Sequence, residues 1–99
     1  MDQSIAAIGF SAMSSEARLE VLRVLVRSGN CQLPVGELQK KTGIAASTLT
    51  HHLKALAGAS LIEQEKQGRE ILIRARFDHL QALAAYILDE CCEDEGVQS

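Results

Sequence analysis

Between residues 47 and 57 the chain sets short hydroxyls, imidazoles and a cation (Ser47, Thr48, Thr50, His51, His52, Lys54) among three leucines, Leu49, Leu53 and Leu56. Hydroxyl and imidazole groups bond base edges or phosphate oxygens, and an ammonium neutralises a phosphate, so these residue types suit a helix laid in a major groove. The leucines recur at i, i+4 and i+7, which predicts a helix over residues 46–57 with one narrow apolar stripe. The opposite face then displays Ser47, Thr48, Thr50, His51 and Lys54. Small residues at its start (Ala45, Ala46, Ser47) let backbone amides approach a phosphate closely. Neighbouring side chains on a helix project about 100° apart, so His51 and His52 cannot share one role. His51 faces outward with Thr48. His52 lies at the edge of the leucine stripe, either as a packed or capping histidine or as a phosphate contact.

A second group with chemistry is the vicinal pair Cys91-Cys92, set among Asp89, Glu90, Glu93, Asp94 and Glu95. Adjacent cysteines make a poor local disulfide, because the small ring strains the peptide bond between them. As two neighbouring thiolates they suit a soft ion that accepts close sulfur ligands. The surrounding carboxylates oppose thiolate formation unless a cation compensates. Cys31 is the third cysteine, read either as a small loop residue or as a further sulfur ligand. Asp78 and His79 offer the start of a zinc site, but no histidine lies near Cys91, and Asp78 reads better as a helix N-cap.

The elements that must position these groups follow from periodicity. Residues 5–13 suggest a short amphipathic helix. Ser14 or Ser15 caps a second, whose wide stripe from Ala17 to Val26 marks it as central and mostly buried, with Arg18, Arg23 and Arg27 on its open side. Ser28-Gly29-Asn30 stops it. A short helix over residues 35–42 is anchored by Leu38 and ends at Gly43, where glycine supplies the positive φ of a helix stop. Two short helices joined by a glycine-bearing turn form a helix-turn-helix unit. Residues 61–65 and 70–75 then alternate as strands around Lys66-Gln67-Gly68-Arg69, a hairpin with a basic tip. Placed beside the same duplex, that tip brings Gln67 and Arg69 to a minor groove or phosphate. A last helix over residues 79–91, with Leu80, Leu83, Ala84, Ile87 and Leu88 on one face, completes a mainly α fold with a β-hairpin wing, in the order α-α-α-α-β-β-α. Residues 1–92 read as one domain, and the acidic tail 93–99 is expected to fray.

Composition agrees with a single small domain. Apolar residues make up 46% of the chain and charged residues 23%, with two Phe, one Tyr and no Trp. Aliphatic side chains must therefore fill the core, and so thin a core often draws stability from an oligomer interface. The net charge of −3 argues against a nucleic-acid partner, but its distribution does not. Residues 40–76 hold seven basic groups against three acidic ones, whereas residues 77–99 hold six acidic groups and no Lys or Arg. One half of the chain can face phosphates while the other is held away. No run approaches the roughly 18 apolar residues of a membrane span, no leader pattern opens the sequence, and an odd number of cysteines suits a reducing compartment, so a cytoplasmic protein is expected. There is no nucleophile elbow, no phosphate-binding glycine loop and no acid/base pair in a cleft, which argues against an enzyme. A module for protein–protein contact remains the alternative of another class.

Four segments, 15–19 (SEARL), 35–38 (VGEL), 47–56 (STLTHHLKAL) and 68–71 (GREI), are similar in order and spacing to the ArsR/SmtB family of bacterial repressors, over about residues 5–92. The resemblance implies a winged helix-turn-helix homodimer built on its first and last helices and bound to an inverted repeat in double-stranded operator DNA. It implies repression relieved by a ligand or a thiol modification, with no cofactor required. The Cys91-Cys92 segment resembles the C-terminal cysteine pair of an arsenite-responsive subgroup. That subgroup carries a third cysteine a few residues on, whereas residues 93–99 here contain none. Three inducer readings follow. One is As(III), a substituted arsenical or another soft metal on Cys91 and Cys92, with or without Cys31. The others are a redox or persulfide sensor on the same thiols, and no inducer role.

Overall fold

The computed structural model describes residues 1–98. Helices α1 (Gln3–Ala12) and α2 (Glu16–Arg27) are followed by β1 (Leu33–Pro34), α3 (Val35–Thr42), α4 (Ala46–Gly58), β2 (Ile62–Gln67), β3 (Glu70–Ala75) and α5 (Phe77–Leu88). The mainly helical winged fold expected from the sequence is therefore present, with one strand added.

Local chemistry explains most boundaries. Asp2 Oδ1 accepts from Ile5 N at 2.8 Å to open α1, and Ser15 Oγ accepts from Arg18 N at 3.2 Å to open α2. Both satisfy amides that the first helical turn leaves without partners. Gly43, at φ 71°, closes α3 by donating its N–H to Gln39 O at 2.8 Å. At the end of α4, Ser60 takes φ 63° and Leu61 N reaches back to Leu56 O at 3.0 Å. This is a Schellman closure with Leu56 and Leu61 packed together inside the core.

That core is aliphatic, as the composition required. Val21 and Leu25 of α2, Leu38 of α3 and the Leu49, Leu53, Leu56 stripe of α4 are buried against Leu61 and Ile73. α2 is the central helix, but Arg18 is not on its open side. It stands i−3, i−4 and i−7 to Val21, Leu22 and Leu25, and is half-buried with its Nε enclosed.

The expected hairpin belongs to a three-stranded antiparallel sheet in the order β1-β3-β2, with Leu33 opposite Ile73 and Pro34 opposite Leu72. Proline is tolerated in a strand at the sheet edge, where its missing N–H costs no ladder bond. β2 and β3 close through the two residues Gly68 and Arg69, with Gly68 at φ 61°, the pattern of a II′ turn.

The last helix differs from expectation at both ends. It starts at Phe77, so Asp78 lies inside its first turn and is not the cap; the preceding Arg76 makes no side-chain cap. Asp78 Oδ2 instead pairs with Arg76 Nη2 at 3.0 Å. That bond, with the His79 amide next, holds its carboxyl below the ordinary aspartate range. α5 stops at Leu88, because Asp89 is extended (ψ 139°) and Glu90 and Cys92 take φ of 61° and 66°. Cys91 and Cys92 are therefore beyond the helix rather than on it. The tail expected to fray takes a 3-10 helix over Glu93–Gln98, and Ser99 of that tail lies outside the described residues.

α1 and α5 pack on one another, closely enough that a Cβ on Gly9 would sit 2.9 Å from Leu83 Cδ1. Their outer faces stay open: Ile8 is 56% exposed, and Ile87 and Leu88 are each 66% exposed.

Candidate nucleic-acid interface

α4 is fixed from behind. Burial of Leu49, Leu53 and Leu56 turns Ser47, Thr48, Thr50, His51 and Lys54 to solvent, which is the division that the i, i+4, i+7 spacing predicted. Its first residue follows Ala45, which provides no side-chain cap. The N-terminal amides of α4 are therefore not occupied by a capping oxygen and are available to an anion.

The exposed residues are not equivalent. Thr50 Oγ1 donates to Ala46 O at 2.9 Å, so in this rotamer its hydroxyl offers lone pairs but no proton. His51 is exposed, whereas His52 is half-buried, and the two rings lie 6.1 Å apart at 55°. His52 Nδ1 is shut away from solvent with no hydrogen-bond partner among the described residues. The structure thus sets His51 on the outer face and His52 at the core edge.

At the wing, Arg69 occupies the second loop position and is exposed. Gln67 is engaged locally: its Nε2 donates to Glu65 Oε1 at 3.3 Å, and Glu65 Oε2 accepts from Gln32 Nε2 at 2.8 Å. Gln32 first and Gln67 second hold the Glu65 carboxyl below its ordinary range.

The wing and α4 are brought together across a cleft of about 570 Å³, lined by Thr50 and Arg69 and also by Glu37 and Lys40 of α3. Lys40 and Glu37 did not stand out in the sequence. α3 bears only its Leu38 anchor as a local signal, and the approach of α3 to the wing is made by tertiary packing.

The cysteines are not gathered into one site. Cys31 is exposed in the loop after α2, in a shallow cleft shared with Arg27 and Lys41. Cys91 and Cys92 are exposed, with Sγ atoms 3.2 Å apart. The hydrogen bond with Cys91, then one with Glu95, pushes the Cys92 thiol above its ordinary range. Among the described residues, no group of three or more His, Cys, Asp and Glu side chains is placed to hold a metal ion. Cys31 thus does not join Cys91 and Cys92 within one chain, and Asp78 with His79 forms no zinc cluster there. No helix of the described residues is long and apolar enough to cross a membrane.

With this geometry in place, similarity to known proteins is informative. Residues 13–65 match the family described as "Helix-turn-helix domain". The "Uncharacterized HTH-type transcriptional regulator YceK" of Bacillus subtilis (strain 168) is 36% identical over 80 residues, covering 81% of this chain and 79% of that protein. The "HTH-type transcriptional regulator YgaV" of Escherichia coli (strain K12) is 31% identical over 87 residues, covering 88% of this chain and 86% of that protein. The solved structure of an "ArsR-like Transcriptional Regulator from Rhodococcus sp. RHA1" superposes with a TM-score of 0.73 at 29% identity, covering 96% of this chain and 82% of that one.

Proposed function

The chain belongs to the ArsR family of winged helix-turn-helix transcriptional regulators, and from that premise we propose that it is a homodimeric repressor of its own operon. The observation that carries this reading is the outer face of α4, where Ser47, Thr48, Thr50, His51 and Lys54 stand exposed over a fully anchored leucine stripe. α4 enters the major groove, Ser47, Thr48, Thr50 and His51 meet base edges or phosphates, and Lys54 and Arg69 meet phosphates. His52 holds the helix against the core, and Gln67 braces the wing through Glu65.

The dimer is built on α1 and α5. What supports this is that Ile8, Ile87 and Leu88 are exposed apolar residues on two helices already packed together. The dimensions, 60 × 22 × 22 Å with a radius of gyration of 15.9 Å, exceed the roughly 13 Å of a compact chain of this length and suit a protomer completed by its partner. Two recognition helices related by a two-fold axis require an inverted repeat with half-sites about 34–36 Å apart, or a multiple of that. Residues 1–92 act as the DNA-binding domain, working in the cytoplasm without a required cofactor. Footprinting on DNA upstream of the gene is expected to protect such a repeat; protection of a single half-site, or none, contradicts the reading.

Release is assigned to Cys91 and Cys92. Their Sγ separation of 3.2 Å supports a thiol-reactive inducer held by two sulfurs, an arsenical or another soft metal. An oxidant or persulfide acting on the same thiols is the second reading, favoured by their exposure. Replacing both cysteines with serine is expected to leave operator affinity unchanged and to abolish release by phenylarsine oxide and by peroxide, read by fluorescence anisotropy. Release that persists in the double variant places the sensing site elsewhere.

A further inference from the structure

Ile62 is the one buried residue of β2, and from Gln64 to the turn the strand is exposed, so the wing stands clear of the core. Behind its inner face lies an open hollow of about 430 Å³, between Leu53 and Lys54 of α4 and Gln64 and Ile71 of the wing. Apolar packing therefore does not fix the tip. The outer face carries polar contacts instead. Glu63, Glu65 and Gln67 alternate along β2 and share that face, and Glu63 pairs with Arg74 directly across the ladder. Gln32 Nε2 donates to Glu65 Oε2 at 2.8 Å, although β1, which Gln32 precedes, lies beside β3 rather than β2. The Gln32 side chain thus reaches over the middle strand. Asn30 Oδ1 accepts from Arg74 Nη1 at 3.4 Å. Their loop is itself tied to the central helix: Ser28 Oγ donates to Val24 O at 3.0 Å, and Cys31 N donates to Ser28 O at 3.1 Å.

We propose that Gln32 is the positioning residue of the wing, acting through Glu65 to strap the hairpin to the end of α2 and so to set where Arg69 stands. The inference rests on the DNA-binding reading of Arg69 and adds to it what holds that side chain in place. Glu65 accepts from both sides: one oxygen takes Gln32 of the loop, and the other takes Gln67 Nε2 at 3.3 Å, immediately before the Gly68-Arg69 turn. A single carboxylate therefore links the anchored loop to the wing tip. Asn30 on Arg74 ties the base of the wing, and Gln32 on Glu65 ties its middle. Two attachments at different heights resist a pivot that one alone would permit. With open space on the inner side, a hairpin released on its outer side is free to tilt, and the tip moves farthest.

Gln32→Met keeps the side-chain length and removes the donor, and Gln32→Lys restores a donor for Glu65. In the free protein, Gln32→Met is expected to speed amide hydrogen exchange across residues 66–71 by about two- to tenfold, the worth of one hydrogen bond, and to leave the α2 amides unchanged. Gln32→Lys is expected to return the wing to the wild-type rate. Unchanged exchange in Gln32→Met overturns the strap, whatever the protein binds. Operator affinity by anisotropy then completes a double-mutant cycle with Arg69→Gln. Gln32→Met is expected to weaken binding by about two- to fivefold in the wild-type background and to have no effect beside Arg69→Gln. A loss that persists beside Arg69→Gln makes Gln32 a direct contact and overturns the positioning role, as does faster exchange with no loss of affinity. If Arg69→Gln alone costs no affinity, the reading of the wing as a DNA contact fails, and the positioning role falls with it.

Discussion

Replacing Thr50 and His51 together with alanine is expected to abolish operator recognition while leaving the dimer and its fold intact. Both side chains are exposed on the outer face of α4, and neither supports the core. Contacts of this kind are worth about 1–3 kcal/mol each, so losing two costs about 30-fold to well over 10³-fold in operator affinity. Stability moves the other way, if at all. The Thr50 hydroxyl bonds back to Ala46 O, a contact that slightly disfavours a helix, and alanine has the better helix propensity at both positions. A melting temperature at or above wild type, with binding lost, is therefore the expected pair of results. Unchanged operator affinity removes the exposed face of α4 from recognition.

The second large effect concerns assembly. Ile8→Asp with Ile87→Asp is expected to turn the dimer into folded monomers. Each isoleucine buried between protomers contributes about 1.5–3 kcal/mol, and an aspartate in its place would have to enter the interface unpaired. Because both side chains are more than half exposed in the single chain, the protomer's own core is untouched and its helical content should persist. A monomer engages one half-site at a time, so operator affinity falls by about 10²- to 10⁴-fold as the second recognition helix loses its effective concentration. Sedimentation equilibrium and circular dichroism read the two quantities separately. A wild-type protein that is monomeric at micromolar concentration, or a variant that stays dimeric, contradicts an α1–α5 interface.

What the sequence made legible was local. The Leu49, Leu53, Leu56 spacing both predicts α4 and settles which of its faces is free, because one buried stripe on a helix leaves no choice for the rest. Gly43 and Gly68 mark the end of α3 and the wing turn because each needs a positive φ. What stayed hidden depended on contacts between distant segments. β1 is two residues long and has no period to read; only the approach of β3 makes it a strand. Asp78 has the residue type of a cap, but the helix begins at Phe77, two residues before the expected start, and Asp78 pairs with Arg76 inside the first turn. The apolar run through Ile87 and Leu88 carries a helical pattern onward, and the backbone turn at Asp89–Cys92 ends it without glycine or proline to announce the stop. In the candidate site, the α4 residues were readable one by one, whereas Lys40 and Glu37 gain meaning only when α3 meets the wing across the cleft.

If the outer face of α4 and the wing hold an operator through charge and base contacts, titration of the dimer onto its own upstream DNA at rising salt will read both out. Log K is expected to fall linearly with log salt, by about 0.9 for each phosphate neutralised. A preference for that DNA of about 10³-fold or more over a scrambled duplex is expected with it. No retention of the upstream DNA at low salt, or equal affinity for both duplexes at every salt concentration, would contradict it.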